Sequence, residues 1–302
     1  MHMGNTVTKT HVLGITYGRA KVGKTVAMVR AFPDALFIAP PGALLCSKWL
    51  DWEPKVLEVR GNQGFKYVTD ALKRAAGNFP AIVVDDFSLI GDTELANCRQ
   101  SAPGFAAFDL FAKRVYELKE AARAARAHVF LTCHEQAPRE VKKDNNNRYI
   151  PGAPMIAGWQ MPEKLPAMVD FCARVIHDDR GPGWPFLYAT GPDQNYIQGD
   201  RLAILPDQFP LNLREAMLGA DIDVPRPEPL AWMEEYVEAT AQDLLEESGE
   251  KKPDLKRVLS ATAETLQNHS PRHVRWVLAD AMDRMVLRQH TSNLLTDFIG
   301  SY

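Results

Sequence analysis

"GRAKVGKT" fills residues 18–25, directly after the apolar run "HVLGITY" (11–17), and its reading decides the fold. Gly18, Gly23, Lys24 and Thr25 meet the spacing G-x-x-x-x-G-K-[ST]. Average residue usage produces that pattern by chance in about one chain per hundred of this length. The setting strengthens it, because an apolar run precedes the loop and "KTVAMVRAF" follows at helical spacing up to Pro33. Glycines let a backbone wrap a polyphosphate. Successive N–H groups of Gly18, Arg19, Ala20, Lys21, Val22, Gly23, Lys24, Thr25 and Val26, with the helix N-terminus, then face the anion. Lys24 would reach the β and γ phosphates, and the Thr25 hydroxyl would ligate Mg²⁺. A glycine turn ahead of a helix, with no ligand, is the plainer alternative.

Magnesium needs a carboxylate at the end of a neighbouring strand. "AIVVDD" (81–86) supplies it: Asp85 is the expected Mg²⁺ ligand, direct or through water, and Asp86 the candidate for orienting the attacking water. Two aspartates at a strand end also occur as a simple turn. "HVFLTCHEQ" (128–136) is another apolar strand that ends in polar residues. If it neighbours the strand ending at Asp85, Thr132 or His134 stands where a γ-phosphate sensor would lie; a structural histidine is the alternative.

The stretch 136–162 follows, long and polar, with Arg139, Lys142, Lys143 and Arg148 against Glu140 and Asp144, and with Tyr149 and Trp159 alongside. A loop of this length is usually functional or disordered. Cations interleaved with rings suit single-stranded nucleic acid, phosphates meeting Lys and Arg while bases stack. A solvated hairpin loop fits the composition as well. Arg201 stands in a turn beyond the late strands, placed to serve as a cation for a nucleotide bound at a subunit interface.

Composition sets the frame for these motifs. The 302 residues are 46% hydrophobic and 24% charged, enough for one large domain and a smaller appendage. Lys and Arg number 35 against 38 Asp and Glu, a net charge of −3, so any nucleic-acid contact must come from local basic loops. Cys46, Cys98, Cys133 and Cys172 form no C-x-x-C pair and read as reduced thiols, in keeping with a cytoplasmic protein. No apolar stretch approaches the ~20 residues of a membrane span, and residues 1–11 lack the apolar core of a signal peptide.

Over the first 220 residues, β-like runs alternate with helical patterns, which predicts an α/β fold with a mostly parallel central sheet. Strands are expected at 11–17, 35–40, 55–60, 81–86, 128–133, 171–178, 185–191 and 195–200. The clearest helix is 112–127, and the closely spaced late strands predict an antiparallel edge. "DIDVPRPEP" (221–229) reads as a linker between a core at 1–221 and a helical extension at 222–302, with helices at 230–247, 254–268 and 271–298. The last carries an apolar stripe of Val274, Val277, Leu278, Ala281 and Met285 with Trp276, and its charged face, including Arg284 and Arg288, is expected to be solvated.

Taken in order, "YGRAKVGKT", "FPDALFIAP", "AIVVDDFSLI", "HVFLTCHE", the loop leading to "PGAP", "FCARVIHD" and "QGDRLAILPDQFPLNL" resemble the phage RecA-like ATPases of the Sak single-strand annealing group, shortened relatives of RecA and RadA recombinases. The resemblance spans residues 11–217. It implies a RecA-type core, hydrolysis of ATP stimulated by single-stranded DNA, oligomers with ATP between subunits, and cooperation with a single-strand DNA-binding protein. Residues 18–25 look like the Walker A loop, Asp85 like the Walker B acid, His134 like the polar end of the sensor strand, 136–160 like the second DNA-binding loop and Arg201 like the interface arginine. Two departures stand out. Ala39, Pro40 and Pro41 replace the acidic base of relatives, leaving Asp86, Glu53 or Glu135 to substitute, and Gly199 replaces a lysine two residues before Arg201. A nucleotide-gated assembly factor or helicase loader with weak hydrolysis, and a small-molecule kinase, are the competing expectations.

Overall fold

Strands whose two faces are both covered read as near-continuous apolar runs, and the central runs of this chain are mostly apolar. The computed structural model describes residues 11–50, 53–143, 146–158, 160–177, 186–201, 203, 205–224, 233–248, 255–267, 274 and 276–288. Its main sheet contains β1 (Leu13–Gly18), β2 (Leu36–Ala39), β3 (Lys55–Glu58), β4 (Ala81–Val84), β5 (His128–Gln136), β9 (Phe171–His177), β10 (Phe186–Ala189) and β12 (Gln208–Pro210). Side by side they run β3-β2-β4-β5-β1-β9-β10-β12. A separate ribbon pairs β6 (Arg139–Lys143) with β7 (Asn146–Ile150), while β8 (Ala153–Pro154) pairs with β5 and β11 (Gly199–Asp200) with β9. From β3 to β9 every pairing is parallel. The β9–β10, β10–β12 and β9–β11 pairings are antiparallel, as the late-strand spacing predicts.

Alternation along the strands sorts the core into two layers. Leu13, Ile15 and Tyr17 of β1, Ile82 and Val84 of β4, and Val129, Leu131 and Cys133 of β5 face one side. There they meet α2 (Phe65–Ala75), α3 (Phe87–Ser101) and α4 (Ala106–Ala124). On the other side Val83, Phe130, Phe171, Ala173 and Val175 meet α1 (Lys24–Ala31) and α6 (Leu213–Gly219). A short α5 (Met161–Lys164) lies between β8 and β9 in the chain. Two expectations shift. The helix expected at 112–127 starts earlier, at Ala106, and the polar stretch after β5 narrows to one of its two readings, a hairpin in which 139–143 pair antiparallel with 146–150.

In the C-terminal part of the chain, α7 (Glu234–Ser248), α8 (Leu255–Thr265) and α9 (276–288) bury a cluster that includes Val237, Ala241, Leu244, Val258, Val277, Ala281 and Met285; most of the expected linker, 225–229, lies outside the described residues. The expected apolar stripe of the last helix is therefore its buried face; its expected starting turn at 271–273 lies outside the described residues. Its charged face corrects the sequence reading, because much of it is not solvated. Asp280 is fully buried. It accepts hydrogen bonds from Arg30 of α1 at 3.1 Å, Asn212 at 3.0 Å and Arg214 at 3.1 Å. Arg30 also pairs with Asp283, and Arg284 reaches Glu215 at 3.0 Å, Glu234 at 2.8 Å and Glu238 at 2.9 Å. A buried guanidinium needs its carboxylate, so these helices are bolted to α1 and α6 by charge as well as by apolar contact.

Removing one partner of a buried ion network costs about 3–5 kcal/mol. Asp280→Ala should destabilise the chain by that order in urea unfolding, and Asp280→Asn by clearly less; equal unfolding midpoints for wild type and Asp280→Ala would contradict the network's role. Burial pushes the Asp283 carboxyl up from 3.8 to about 6 against the opposing pull of Arg30. The folded state then holds this proton more tightly than the unfolded one. That contribution is full below about pH 4 and lost as pH rises through about 6. Asp283→Asn should flatten the stability profile across that window, measured as unfolding midpoint against pH.

Candidate functional site

Between β1 and α1 the chain makes two left-handed turns, at Lys21 (φ 66°) and Gly23 (φ 86°). Such turns make concave rows of N–H groups that receive anions. Glycine adopts that backbone freely, whereas Lys21 is held in it under strain, which concentrates at functional sites. Gly23 caps α1 with no side-chain hydrogen bond, and the first turn of α1 contains no acid. The leading N–H groups of this helix are thus left for an outside acceptor. Lys24 is nearly buried, and its ammonium folds across the loop to the carbonyls of Gly18 at 3.0 Å and Arg19 at 2.8 Å. Arg19, Ala20 and Lys21 are exposed, while Val22, Thr25 and Val26 are half-buried.

The sheet order brings the remaining groups here. β5 lies between β1 and β4, so Gly18 stands beside His134, Thr16 beside Thr132, and Val84 beside Leu131. The sensor strand therefore neighbours the acidic strand, the condition on which its reading depended. Asp85, one residue past β4, is only 4% exposed. Thr25 donates its hydroxyl to one carboxylate oxygen at 2.9 Å, and Thr132 donates to the other. Burial raises the Asp85 carboxyl above its ordinary value, and the two hydroxyls pull it back only in part. Burial lowers the Lys24 ammonium, opposed by the carboxylates of Asp86 and Asp85. A charge held in this way favours a cation beside it.

That donor set fits magnesium. Among the described residues no cluster of three or more His, Cys, Asp or Glu side chains could hold a metal unaided. Mg²⁺ does not need one, since one or two protein oxygens, water and substrate phosphates complete its octahedron. Thr25 and Asp85 could supply those oxygens.

Asp86 plays a different part. One carboxylate oxygen caps α3 by accepting from the Ser88 N–H at 2.8 Å and the Leu89 N–H at 3.4 Å; the other meets His134 Nε2 at 2.6 Å. His134 is also fixed through its backbone. Its N–H donates to Ser88 Oγ at 2.9 Å, and its carbonyl accepts from the Met155 N–H at 2.7 Å. Of the acids considered in place of a base after β2, Glu53 is exposed beside a surface cavity near Pro40 and Leu44, and Glu135 is held by Arg174 at 2.7 Å. Asp86, the third, caps α3 and meets His134.

Other expected residues lie elsewhere. Arg139 and Tyr149 are exposed on the hairpin, and Tyr149 donates to Asn195 Oδ1 at 2.8 Å. The side chains of Lys142, Lys143 and Arg148, and all of Trp159, lie outside the described residues. Arg201 is not brought to this site. β11 runs antiparallel to β9, with Asp200 opposite Phe171, and Phe171 is level with Gly14 at the start of β1. Arg201 therefore sits at the end of the sheet remote from the phosphate loop, where it donates to the Ala167 carbonyl at 3.1 Å. Sequence reasoning passed over Ser88 and Arg174. A serine two residues past a capping aspartate was one signal, and a charged residue interrupting the apolar run "FCARVIHD" was the other.

No family model matches the chain, and no curated protein does. Among solved structures the chain is similar to the RadB recombinase, at 14% identity over 59% of this chain and 78% of that one, with a TM-score of 0.36. It is similar to the KaiC-like protein PH0186 from Pyrococcus horikoshii OT3, at 10% identity over 59% and 77%, with a TM-score of 0.35.

Asp85→Asn removes the buried charge but keeps a group for both hydroxyls. The nucleotide-free variant should match or slightly exceed wild type in melting temperature, while the shift produced by Mg²⁺ with nucleotide should vanish. A shift as large as that of wild type would remove Asp85 from the metal site.

Proposed function

We propose that this chain is a RecA-like P-loop ATPase that acts on single-stranded DNA. The observation that carries the reading is the Thr25–Asp85–Thr132 cluster beside Lys24, with β5 set between the phosphate-loop strand and the acidic strand. Residues 18–26 cradle the polyphosphate through backbone N–H groups, and Lys24 exchanges two loop carbonyls for phosphate oxygens. Thr25 and Asp85 would hold Mg²⁺, which when bound would neutralise the negative charge of the phosphates. Asp86 and His134 orient the water, His134 joining that acid to the foot of the hairpin through Met155.

The hairpin is the proposed DNA contact, with Arg139, Lys142, Lys143 and Arg148 on phosphates and Tyr149 under a base. Arg201, at the far end of the sheet, suits a nucleotide held by a neighbouring copy, so self-association with ATP between subunits belongs to the same proposal. A single-strand DNA-binding protein is the further partner it implies. None of the described helices is long and apolar enough to cross a membrane. One observation favours a second reading, a nucleotide-gated assembly factor or loader: the end of β2, where an acidic base would stand, is the buried Ala39. Slow hydrolysis indifferent to DNA, with tight nucleotide-dependent self-association, would select it.

Lys24→Ala should lower ATP turnover at least about 100-fold, in line with the loss of a charged transition-state contact; undiminished turnover would reject the site. Single-stranded DNA should raise wild-type turnover. Replacing Lys142, Lys143 and Arg148 together should reduce the slope of log affinity against log salt by about 2, at ~0.7 per phosphate contact. An unchanged slope would remove the hairpin as the contact.

A further inference from the structure

Glu135 lies beside the phosphate loop but takes no part in the chemistry above. Its carboxylate, 4% exposed, is shared by two guanidiniums: Arg174 at 2.7 Å, itself largely buried, and Arg19 of the loop at 3.7 Å, which is 82% exposed. Arg174 lies flat over the Tyr196 ring, 3.2 Å from its centre. Tyr196 belongs to a strap, residues 193–197, whose first turn is closed by Asp193 accepting from the N–H groups of Asn195 and Tyr196. The strap grips the foot of the β6–β7 hairpin. Gly152 donates to the Asn195 carbonyl at 2.7 Å and accepts from the Ile197 N–H at 2.8 Å, and Tyr149 bonds Asn195. Only glycine fits at 152, since a Cβ there would lie 2.4 Å from the Tyr196 ring. At its other end the strap is tied to β1, where Tyr17 donates to the Ile197 carbonyl at 2.9 Å.

We propose that Glu135, Arg174 and Tyr196 are positioning residues that couple the phosphate loop to the hairpin. The proposal rests on reading residues 18–26 as a polyphosphate site. A buried carboxylate cannot be left without a cation. An anion bound in the loop competes with Glu135 for the exposed Arg19, leaving Arg174 as the remaining partner. Arg174, already bonded to Glu135 at 2.7 Å, then becomes its sole cation and is held more firmly over the Tyr196 ring, which steadies the strap on the hairpin's foot. Because coupling between sites is reciprocal, a ligand that orders the hairpin strengthens nucleotide binding by the same factor.

Hydrogen exchange on the full chain, with and without adenosine 5′-(γ-thio)triphosphate and Mg²⁺, tests this. In wild type the nucleotide should slow exchange at residues 18–26 and also, by about 5-fold or more, at 149–152 and 193–197. In Glu135→Gln and Tyr196→Leu the protection at 18–26 should persist while the distant protection disappears. Tyr196→Phe, which keeps the ring face beneath Arg174, should retain it. Distant protection that survives in both Glu135→Gln and Tyr196→Leu, or wild-type protection confined to 18–26, overturns the relay. Absence of any protection at 18–26 in wild type overturns the nucleotide site itself, and the relay with it.

Discussion

A carboxylate withdrawn from water must be met by hydroxyls, an ammonium or a metal ion, and the placement of Asp85 is the constraint on which this structure depends. Its two oxygens are met by Thr25, from the helix after β1, and Thr132, from β5. Three elements distant in sequence must therefore converge within hydrogen-bonding reach. That is possible only because β4, β5 and β1 lie in parallel register with their carboxyl ends at one edge. The apolar alternation of the same strands fills both covering layers, so packing and site geometry are satisfied by a single arrangement.

A second set of buried charges works at the opposite end of α1. Gly23 and Lys24 open that helix at the phosphate loop, while Arg30, near its close, is held by Asp280 and Asp283 of α9. One helix is thus gripped at both ends, at one by the loop it anchors and at the other by the C-terminal helices. Arg214, Asn212, Glu215 and Arg284 extend the grip to α6. Any movement of the phosphate loop that shifts α1 along its axis must be borne by this network or absorbed within α1.

Residues close together in the chain were legible; residues brought together by the sheet were not. The Walker-type loop, Asp85, the parallel strands, the antiparallel late edge and the apolar stripe of α9 all follow from local spacing and periodicity. The β6–β7 hairpin was only one of two readings the composition left open, because its polar residues lack the alternation that marks a strand with one buried face. The buried Asp280 drew no reading at all, since nothing in α9 itself announces that Arg30 and Arg214 are waiting for it. The roles of Asp86 and Glu135 were interchangeable in sequence and became distinct only when one was found capping α3 beside His134 and the other paired with Arg174.

By itself, then, the sequence determined the glycine-rich loop ahead of α1, the acid at the end of β4 and the α/β class, because each is encoded by neighbouring residues whose backbone and period preferences act locally. Tertiary structure alone decided that Thr132 shares Asp85, that Arg201 stands at the far end of the sheet from its own loop, and that the charged face of α9 is buried. Those facts depend on strand order and on which charges meet out of water, and burial is a property of the assembled chain rather than of any segment within it.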